Sequence, residues 1–361
     1  MISKNNKKQL YFQILMKKKI MIIGTGGTIT AKFSKHCLKP GKLREQEVIG
    51  YISDARSIAT IKTIELYKID SSNMQPEYWI EIAQTIYDNY NDFNGFVILH
   101  GTDTMHYTAS VLSFLLQNLD KPIVLTGSQV PADRIGSDAK VNLLDAIRVA
   151  AETTLNEVII VFNRKIFRGN RTRKIREIEY DAYRSIGIPK LGTIEYDIRI
   201  NKNHIINHKK KIKFYNNLEK NICIQKIVPG YNPKILSALV NLGYKGIIIE
   251  GFGAGNVPIE TNSLIPAIKK IVNLGIPLVV SSQCSIGFSW MYLYECGNKA
   301  LRAGAIPAYD MISETALTKL MWILGNYPDA NLKKIKTIFL ENIAGEITGV
   351  REHKKKSLWE Y

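Results

Sequence analysis

Three short segments of this 361-residue chain carry hydroxyls and charged groups at spacings that suit nucleophilic chemistry. The first, Gly24-Thr25-Gly26-Gly27-Thr28-Ile29, follows an apolar run. Such a glycine loop can cradle a phosphate, but the third glycine of a dinucleotide fingerprint would fall at Ile29, and no phosphate-loop lysine follows. That leaves a plain tight turn, or a turn whose glycines open the Thr28 hydroxyl to a reactant. The second segment, His100-Gly101-Thr102-Asp103-Thr104-Met105, adds another threonine and a carboxylate. Asp103 taken alone is able to cap the helix that follows, and His100 reads as a hydrogen-bonded strand-end histidine rather than a catalyst. The third, Arg168-Gly169-Asn170-Arg171-Thr172-Arg173-Lys174, is by itself a basic turn whose default place is a solvated surface. The combination changes that reading. A threonine is a weak nucleophile that must lose its proton, and a lysine takes that proton only if its own pKa is depressed or an acid tunes it.

The elements around these segments define where they must sit. From Lys19 onward, short β-branched runs alternate with helical patterns, the signature of parallel strands joined by crossover helices. Strands are predicted at 20–23, 96–99, 123–125 and 158–162. A helix over 76–90 opens on Pro76 and lines Trp79, Ala83, Ile86 and Tyr90 along one stripe. Further helices are predicted over 105–119, where Ala109, Leu112, Leu116 and Leu119 recur at three and four, and over 138–151. From 201 to 221 Asn, His and Lys dominate, which reads as an interdomain linker. A second set follows, with strands at 224–228, 246–250 and 277–281 and helices at 233–242, 264–273, 315–325 and 331–342. The expected architecture is therefore α/β in two domains. Residues 16–200 form a larger N-terminal catalytic domain with a mostly parallel sheet and flanking helices, and residues 222–361 form a smaller α/β domain. Residues 1–15 read as an extension, with Met16 as an alternative start. In open parallel sheets ligands bind beyond the carboxyl ends of the strands, which is where all three segments fall.

Composition narrows the class. An apolar fraction of 45% with 22% charged residues is ordinary for a soluble globular protein, and no run approaches the roughly 18 to 20 apolar residues of a membrane span. The apolar run at 10–16 is broken by Gln13, lacks a small-residue cleavage site and is followed by Lys17, Lys18 and Lys19, so no export signal is read. The location expected is cytoplasmic. Cys37, Cys223, Cys284 and Cys296 show no metal-ligand spacing and are expected to be reduced, with Cys284 read as a buried structural cysteine. The net charge of +17 raises a polyanion-binding class. The lysines are scattered, however, and the basic runs at 17–19, 209–213 and 354–356 lack interleaved aromatics, so nucleic acid is not the expected partner.

Read together, the segments resemble the bacterial-type L-asparaginase family. Its first block stands here as Thr25-Gly26-Gly27-Thr28-Ile29 and its second as His100 to Met105. The similarity runs over most of the chain from Met16. It is nearest to the cytoplasmic type I enzymes in Ile69-Asp70-Ser71-Ser72-Asn73-Met74, Gly95-Phe96-Val97-Ile98-Leu99-His100, Thr126-Gly127-Ser128-Gln129 and Arg168-Gly169-Asn170-Arg171-Thr172.

The resemblance implies hydrolysis of L-asparagine through a threonyl ester, with no metal and no organic cofactor. It implies Thr28 as primary nucleophile, and Thr102, Asp103 and Lys174 as the second threonine with its acidic and basic partners. For the substrate it implies Ser71, with Ser72 beside it, on the α-carboxylate, Asp103 on the α-amino group and Ser128 near the side-chain amide. Asn256 matches an asparagine that reaches the site from a neighbouring protomer, so a homo-oligomer, dimer or tetramer, is expected. One position departs from the family: aligning the following proline with Pro40 puts Leu38 where a lid tyrosine helps activate the nucleophile. Two alternatives stand beside this reading. One is the asparaginase-like subunit of a glutamyl-tRNA amidotransferase, disfavoured because only 27 residues precede Thr28 whereas those subunits carry an extra domain there. The other is a catalytically weak amino-acid-binding homologue, which Leu38 keeps open. The Asn to Gln preference is left unassigned, and no allosteric site is claimed.

Overall fold

In the computed structural model, which describes residues 17–33, 38–39, 41, 47, 50, 54–206 and 210–348, the first apolar run becomes strand β1 (Lys18–Gly26), one strand in from the edge of an eight-stranded sheet. The expected extension at 1–15 and Met16 lie outside the described residues, as does the basic run at 354–356. The larger sheet also contains β2 (Ala59–Ile69), β3 (Gly95–Leu99), β4 (Ile123–Thr126), β5 (Val158–Phe162) and β6 (Lys165–Arg168). A separate hairpin, β7 (Thr172–Lys174) and β8 (Tyr183–Ser185), follows. The strands β9 (Gly192–Ile194) and β10 (Ile198–Ile200) then complete the sheet in the order β10-β9-β6-β5-β4-β3-β1-β2. The five strands β2, β1, β3, β4 and β5 are parallel, so their carboxyl ends share one edge. The others join antiparallel.

Parallel strands bury both faces and read as continuous apolar runs. Strands β3, β4 and β5 are buried at every residue. One face is covered by helix α1 (Pro76–Asp88) and helix α2 (Met105–Leu115). The expected stripe is indeed inside, with Ala83 and Ile86 fully buried and Trp79 nearly so, each large side chain contributing about 1.5–3 kcal/mol, while the helix stops at Asp88 and Tyr90 is buried in the 3-10 turn that follows. Helix α3 (Ala139–Glu152) covers the opposite face.

The smaller sheet is fully parallel, in the order β11 (Ile222–Lys226), β12 (Gly246–Gly251), β13 (Leu278–Ser282) and β14 (Ile306–Pro307). Its outer face is closed by α4 (Lys234–Asn241), α5 (Ile265–Asn273) and α6 (Glu295–Arg302). Its inner face meets α7 (Ser313–Asn326), against which α8 (Leu332–Phe339) packs. One apolar cluster runs from β1 and β3 through α2 into α7, Ile248 and Val279, so the two sheets share a core across the domain boundary. Helix α2 is buried all round for that reason. Of its polar positions, Ser110 turns to α7, with Oγ 2.8 Å from Thr318 Oγ1.

Several expected bounds shift. The helix expected over 105–119 ends at Leu115 because Leu116–Gln117 pair antiparallel with Lys213–Phe214, which places a strand inside the segment read as linker. The helix expected over 331–342 stops at Phe339. Strand β2 escaped the sequence reading altogether. It is an edge strand whose Lys62, Glu65 and Lys68 face outward, so its pattern looks like surface. Leu38 opens the two-residue strand Leu38–Lys39, paired with Lys32–Phe33, while Pro40 lies outside the described residues.

Candidate active site

The carboxyl ends of β2, β1, β3 and β4 deliver four loops side by side, and each loop carries residues singled out from the sequence. After β1, Gly26 and Gly27 adopt φ values of +105° and +75°, a region L side chains avoid. Their lack of Cβ is also steric. A Cβ on Gly26 would stand 2.4 Å from the Ile69 carbonyl oxygen, and one on Gly27 2.4 Å from the Gly101 nitrogen. The turn is therefore pressed between the loops after β2 and β3, and is tied to them by Gly27 N donating to Ile69 O at 2.9 Å and Thr25 Oγ1 donating to Leu99 O at 2.9 Å. Thr28 begins a single 3-10 turn (Thr28–Thr30) directly beyond and is half-buried.

Gly101 makes a second close approach, since a Cβ there would meet Ser71 Oγ at 2.6 Å. Ser71, buried after β2, is fixed through its carbonyl, which accepts from Thr104 Oγ1 at 2.7 Å. Ser72 turns instead to Asp70, donating from Oγ at 2.7 Å and from its backbone N at 2.9 Å. The chain Gly27, Gly101, Ser71 thus sets Thr28 against the loop bearing Thr102 and Asp103.

Lys174 reaches this loop from the end of β7. Its Nζ donates to Thr102 Oγ1 at 2.8 Å and to Asp103 Oδ1 at 2.7 Å. Asp103 is thus engaged by the lysine and not as a helix cap; the N-cap of α2 is Thr104. Thr102 Oγ1 donates to Gln129 Oε1 at 3.1 Å, and the Thr102 carbonyl accepts from the buried Tyr183 hydroxyl. Burial, with Asp103 nearby, raises the Tyr183 pKa, so it stays a neutral donor. Ser128, next to Gln129 after β4, is fully buried and its Oγ has no partner among the described residues. The loop itself is held by Asp138, whose carboxylate accepts from Gln129 N and Val130 N at 3.0 Å.

The segment at 168–174, a basic surface turn by default, is almost entirely buried and paired. Arg168 meets Glu157 at 2.6 Å, Arg171 meets Asp310 at 2.9 Å, and Arg173 meets Glu314 at 2.6 Å. Two of these partners belong to the C-terminal domain, which anchors the hairpin that presents Lys174. His100 takes the structural role expected of it. Its Nδ1 lies 2.7 Å from Gly101 O and its Nε2 2.9 Å from Thr108 Oγ1, which also accepts from Trp79 Nε1 at 2.9 Å. Burial depresses its pKa to about 4, so the ring is neutral.

Asn256 stands apart from the cluster, in the turn after β12, where its backbone N donates to Phe252 O at 2.8 Å. Its side-chain Oδ1 is buried without a partner among the described residues. Cys284 is exposed, contrary to its expected burial, because it lies two residues beyond β13 in a turn held by Ser282 Oγ. The sequence reading missed Gln129, Tyr183 and Glu314 as site residues. Gln129 lay within a quoted segment, while Tyr183 and Glu314 carry no local signal. Among the described residues no group of three or more His, Cys, Asp or Glu is placed to hold a metal ion, and no helix is long and apolar enough to cross a membrane.

Comparison with known proteins gives two family matches, the asparaginase N-terminal model over residues 19–206 and the glutaminase/asparaginase C-terminal domain over 221–339. The chain is 36% identical to a glutamyl-tRNA(Gln) amidotransferase subunit of Pyrococcus abyssi, covering 95% of this chain and 81% of that protein. The solved thermostable L-asparaginase from Thermococcus kodakarensis superposes with a TM-score of 0.85 at 33% identity, over 92% of this chain and 99% of that one. The solved "Probable Cytoplasmic L-asparaginase from Campylobacter jejuni" gives 0.78 at 29% identity, over 90% and 100%.

Proposed function

The chain belongs to the asparaginase family, and from that premise we propose that it hydrolyses L-asparagine to L-aspartate and ammonia with Thr28 as nucleophile. The observation that carries this reading is the convergence of Thr28, Ser71, Thr102, Asp103 and Lys174 at the carboxyl edge of one parallel sheet, with Lys174 bonded to both Thr102 and Asp103. Thr28 Oγ attacks the side-chain amide carbon, its proton passes to the leaving nitrogen, and ammonia departs from a threonyl ester. Water then attacks the ester and returns a proton to Thr28. Backbone N–H groups in tight glycine turns suit the oxyanion, a contribution of about 3–4 kcal/mol in comparable sites. Lys174, once unprotonated, carries that proton: it accepts it from Thr28 by relay through Thr102 and returns it to the leaving nitrogen.

Ser71 holds the substrate carboxylate in this scheme, with Ser72 beside it free to join only by releasing Asp70, and Asp103, 63% exposed and bonded to Lys174 through Oδ1, offers its other oxygen to the α-ammonium. Ser128 faces the side-chain amide. Asn256 completes the site from a second copy, so the active form is a homodimer or tetramer. The likeness to the Campylobacter protein supports a cytoplasmic location. Leu38 supplies no hydroxyl for a lid role.

A second reading is favoured by the amidotransferase subunits among the relatives: the same chemistry frees ammonia for a partner protein that amidates glutamyl-tRNA. Measuring ammonia from asparagine and from glutamine, with Thr28→Ala as control, separates the two. Release from asparagine by the chain alone supports the hydrolase. Release only with a partner and charged tRNA supports the amidotransferase, and none above the Thr28→Ala control in either setting sinks both.

A further inference from the structure

Glu314 lies in the first turn of α7 in the C-terminal domain, and its carboxylate crosses the domain boundary to Arg173 Nη2 at 2.6 Å. The same Nη2 donates to Ser313 Oγ at 2.9 Å, and Ser313 Oγ donates to Glu250 near the end of β12. Arg173 immediately precedes Lys174 on β7, and its directly opposite neighbour across the hairpin is Arg184. Like charges facing each other in an antiparallel pair are destabilising, so the guanidinium needs a counter-charge. The Arg173 and Glu314 side chains are only 16% and 10% exposed, which limits screening by solvent.

We propose that Glu314 is a positioning residue for Lys174: its pair with Arg173 pins β7 to the C-terminal domain one residue from the lysine and cancels the guanidinium charge beside the ammonium. This rests on the proton-transfer role proposed for Lys174 with Thr102. Asp103, on the loop before α2, is the carboxylate bonded to the ammonium itself. From α2, His106 lies among the same charges, with Nε2 3.8 Å from Glu314 Oε1. Burial holds the His106 pKa at about 4, despite Glu314, and raises Tyr107 to about 12. Tyr183 on β8 is likewise raised by burial. All three rings are neutral near pH 7, so Asp103, Arg173, Glu314 and Glu250 are the charged neighbours whose balance Lys174 feels.

The test compares Glu314→Gln, Arg173→Gln and the double variant with the unmodified chain. Glu314→Gln keeps the shape and leaves Arg173 uncompensated, so the Lys174 ammonium becomes easier to deprotonate. On the plateau above the limb, where Lys174 is unprotonated in every variant, we expect kcat for asparagine to fall about threefold because a weaker base accepts the proton less well, with KM within about twofold. The kcat limb that Lys174→Met abolishes should move to lower pH. Arg173→Gln should move it the other way, and the double variant should bring it back. A charge-independent structural role would leave the limb in place, or make the double variant worse than either single one, and would overturn the proposal. The second readout needs no turnover. After reductive 13C-methylation of lysines, the Lys174 resonance, assigned with Lys174→Arg, should titrate lower in Glu314→Gln and higher in Arg173→Gln. An unmoved resonance in both would mean that Lys174 does not feel the Arg173–Glu314 pair, and would overturn the proposal. Shifted resonances in a chain that releases no ammonia would uphold it while rejecting the catalytic reading.

Discussion

Lys174 Nζ donates to Thr102 Oγ1 across 2.8 Å while Thr102 Oγ1 in turn donates a hydrogen bond to Gln129 Oε1 at 3.1 Å. The direction is fixed by Gln129, whose Nε2 donates to the carbonyls of Glu177 and Glu179 at 3.0 and 3.1 Å and so turns Oε1 toward Thr102. Lys174 must therefore shed a proton before it can accept one.

Lys174→Met keeps the apolar stem and removes the acceptor. The expected loss in kcat is about 10²- to 10⁴-fold, with KM little changed, and the rise of rate with pH expected of the unmodified chain should vanish. Steady-state ammonia release over a pH series measures both. A variant keeping more than a tenth of kcat would remove Lys174 from the proton path.

Gly27→Ala tests how Thr28 is placed. The added methyl would lie 2.4 Å from the Gly101 nitrogen and 2.5 Å from its Cα, both backbone atoms, at a φ of +75°. Neither side can yield cheaply, so a cost of at least about 2 kcal/mol is expected, seen as a lower denaturant midpoint. Activity should fall further than stability accounts for, because relief of the clash moves Thr28 away from Thr102. An alanine variant as stable and active as the unmodified chain would show that the turn does not set the nucleophile.

The strands that hold this site were legible because buried parallel strands announce themselves as unbroken β-branched runs, as at Val158–Phe162. The threonine loops were legible because glycines beside hydroxyls at strand ends have few structural uses. What was hidden is long-range pairing. Arg171 and Arg173 look like surface charges until Asp310 and Glu314, about 140 positions away, arrive to bury them. Strand β2 was hidden because only one of its faces needs to be apolar.

Asp145 on α3 provides a pH signature. Its side chain is buried, with Oδ1 accepting from Arg164 at 3.0 Å and Oδ2 without a partner among the described residues. Burial outweighs Arg164 and Arg148 and raises its pKa from 3.8 to about 6. Between those values the folded chain holds a proton that the unfolded chain has released, so this group's contribution declines as pH rises from about 4 to about 6, by about 3 kcal/mol. His100 and His106, depressed to about 4, act in the opposite sense across the same range. The informative quantity is thus a difference. Asp145→Asn should equal the unmodified chain in stability near pH 4 and exceed it near pH 7.5, and a constant gap across that range would place the proton elsewhere.

The pair between Lys319 and Glu346 is wholly buried, with 0% of either side chain exposed. Glu346 also accepts from the backbone N–H of Ile343 at 3.1 Å and of Ala344 at 2.6 Å. That turn in turn receives the hairpin base, since Ala344 O accepts from Asn170 Nδ2 at 2.8 Å and Gly345 O from Arg171 Nε at 2.9 Å. Glu346→Gln can still accept the backbone donors but leaves the Lys319 ammonium buried without its counter-charge. Burial already pulls the Lys319 pKa down against the attraction of Glu346, so losing that attraction is expected to cost about 3–5 kcal/mol, or to drive the lysine neutral. In the Lys319→Met, Glu346→Gln double variant no charge remains and the amide oxygen keeps the turn, so most of the loss should return. In a chain of this size heat unfolding is prone to irreversibility, so melting temperatures should be compared at one scan rate. Recovery in the double variant identifies the buried charge as the source of the cost. Failure to recover would place it in the turn geometry, and kcat would then fall in both variants because Asn170 and Arg171 lead directly to Lys174.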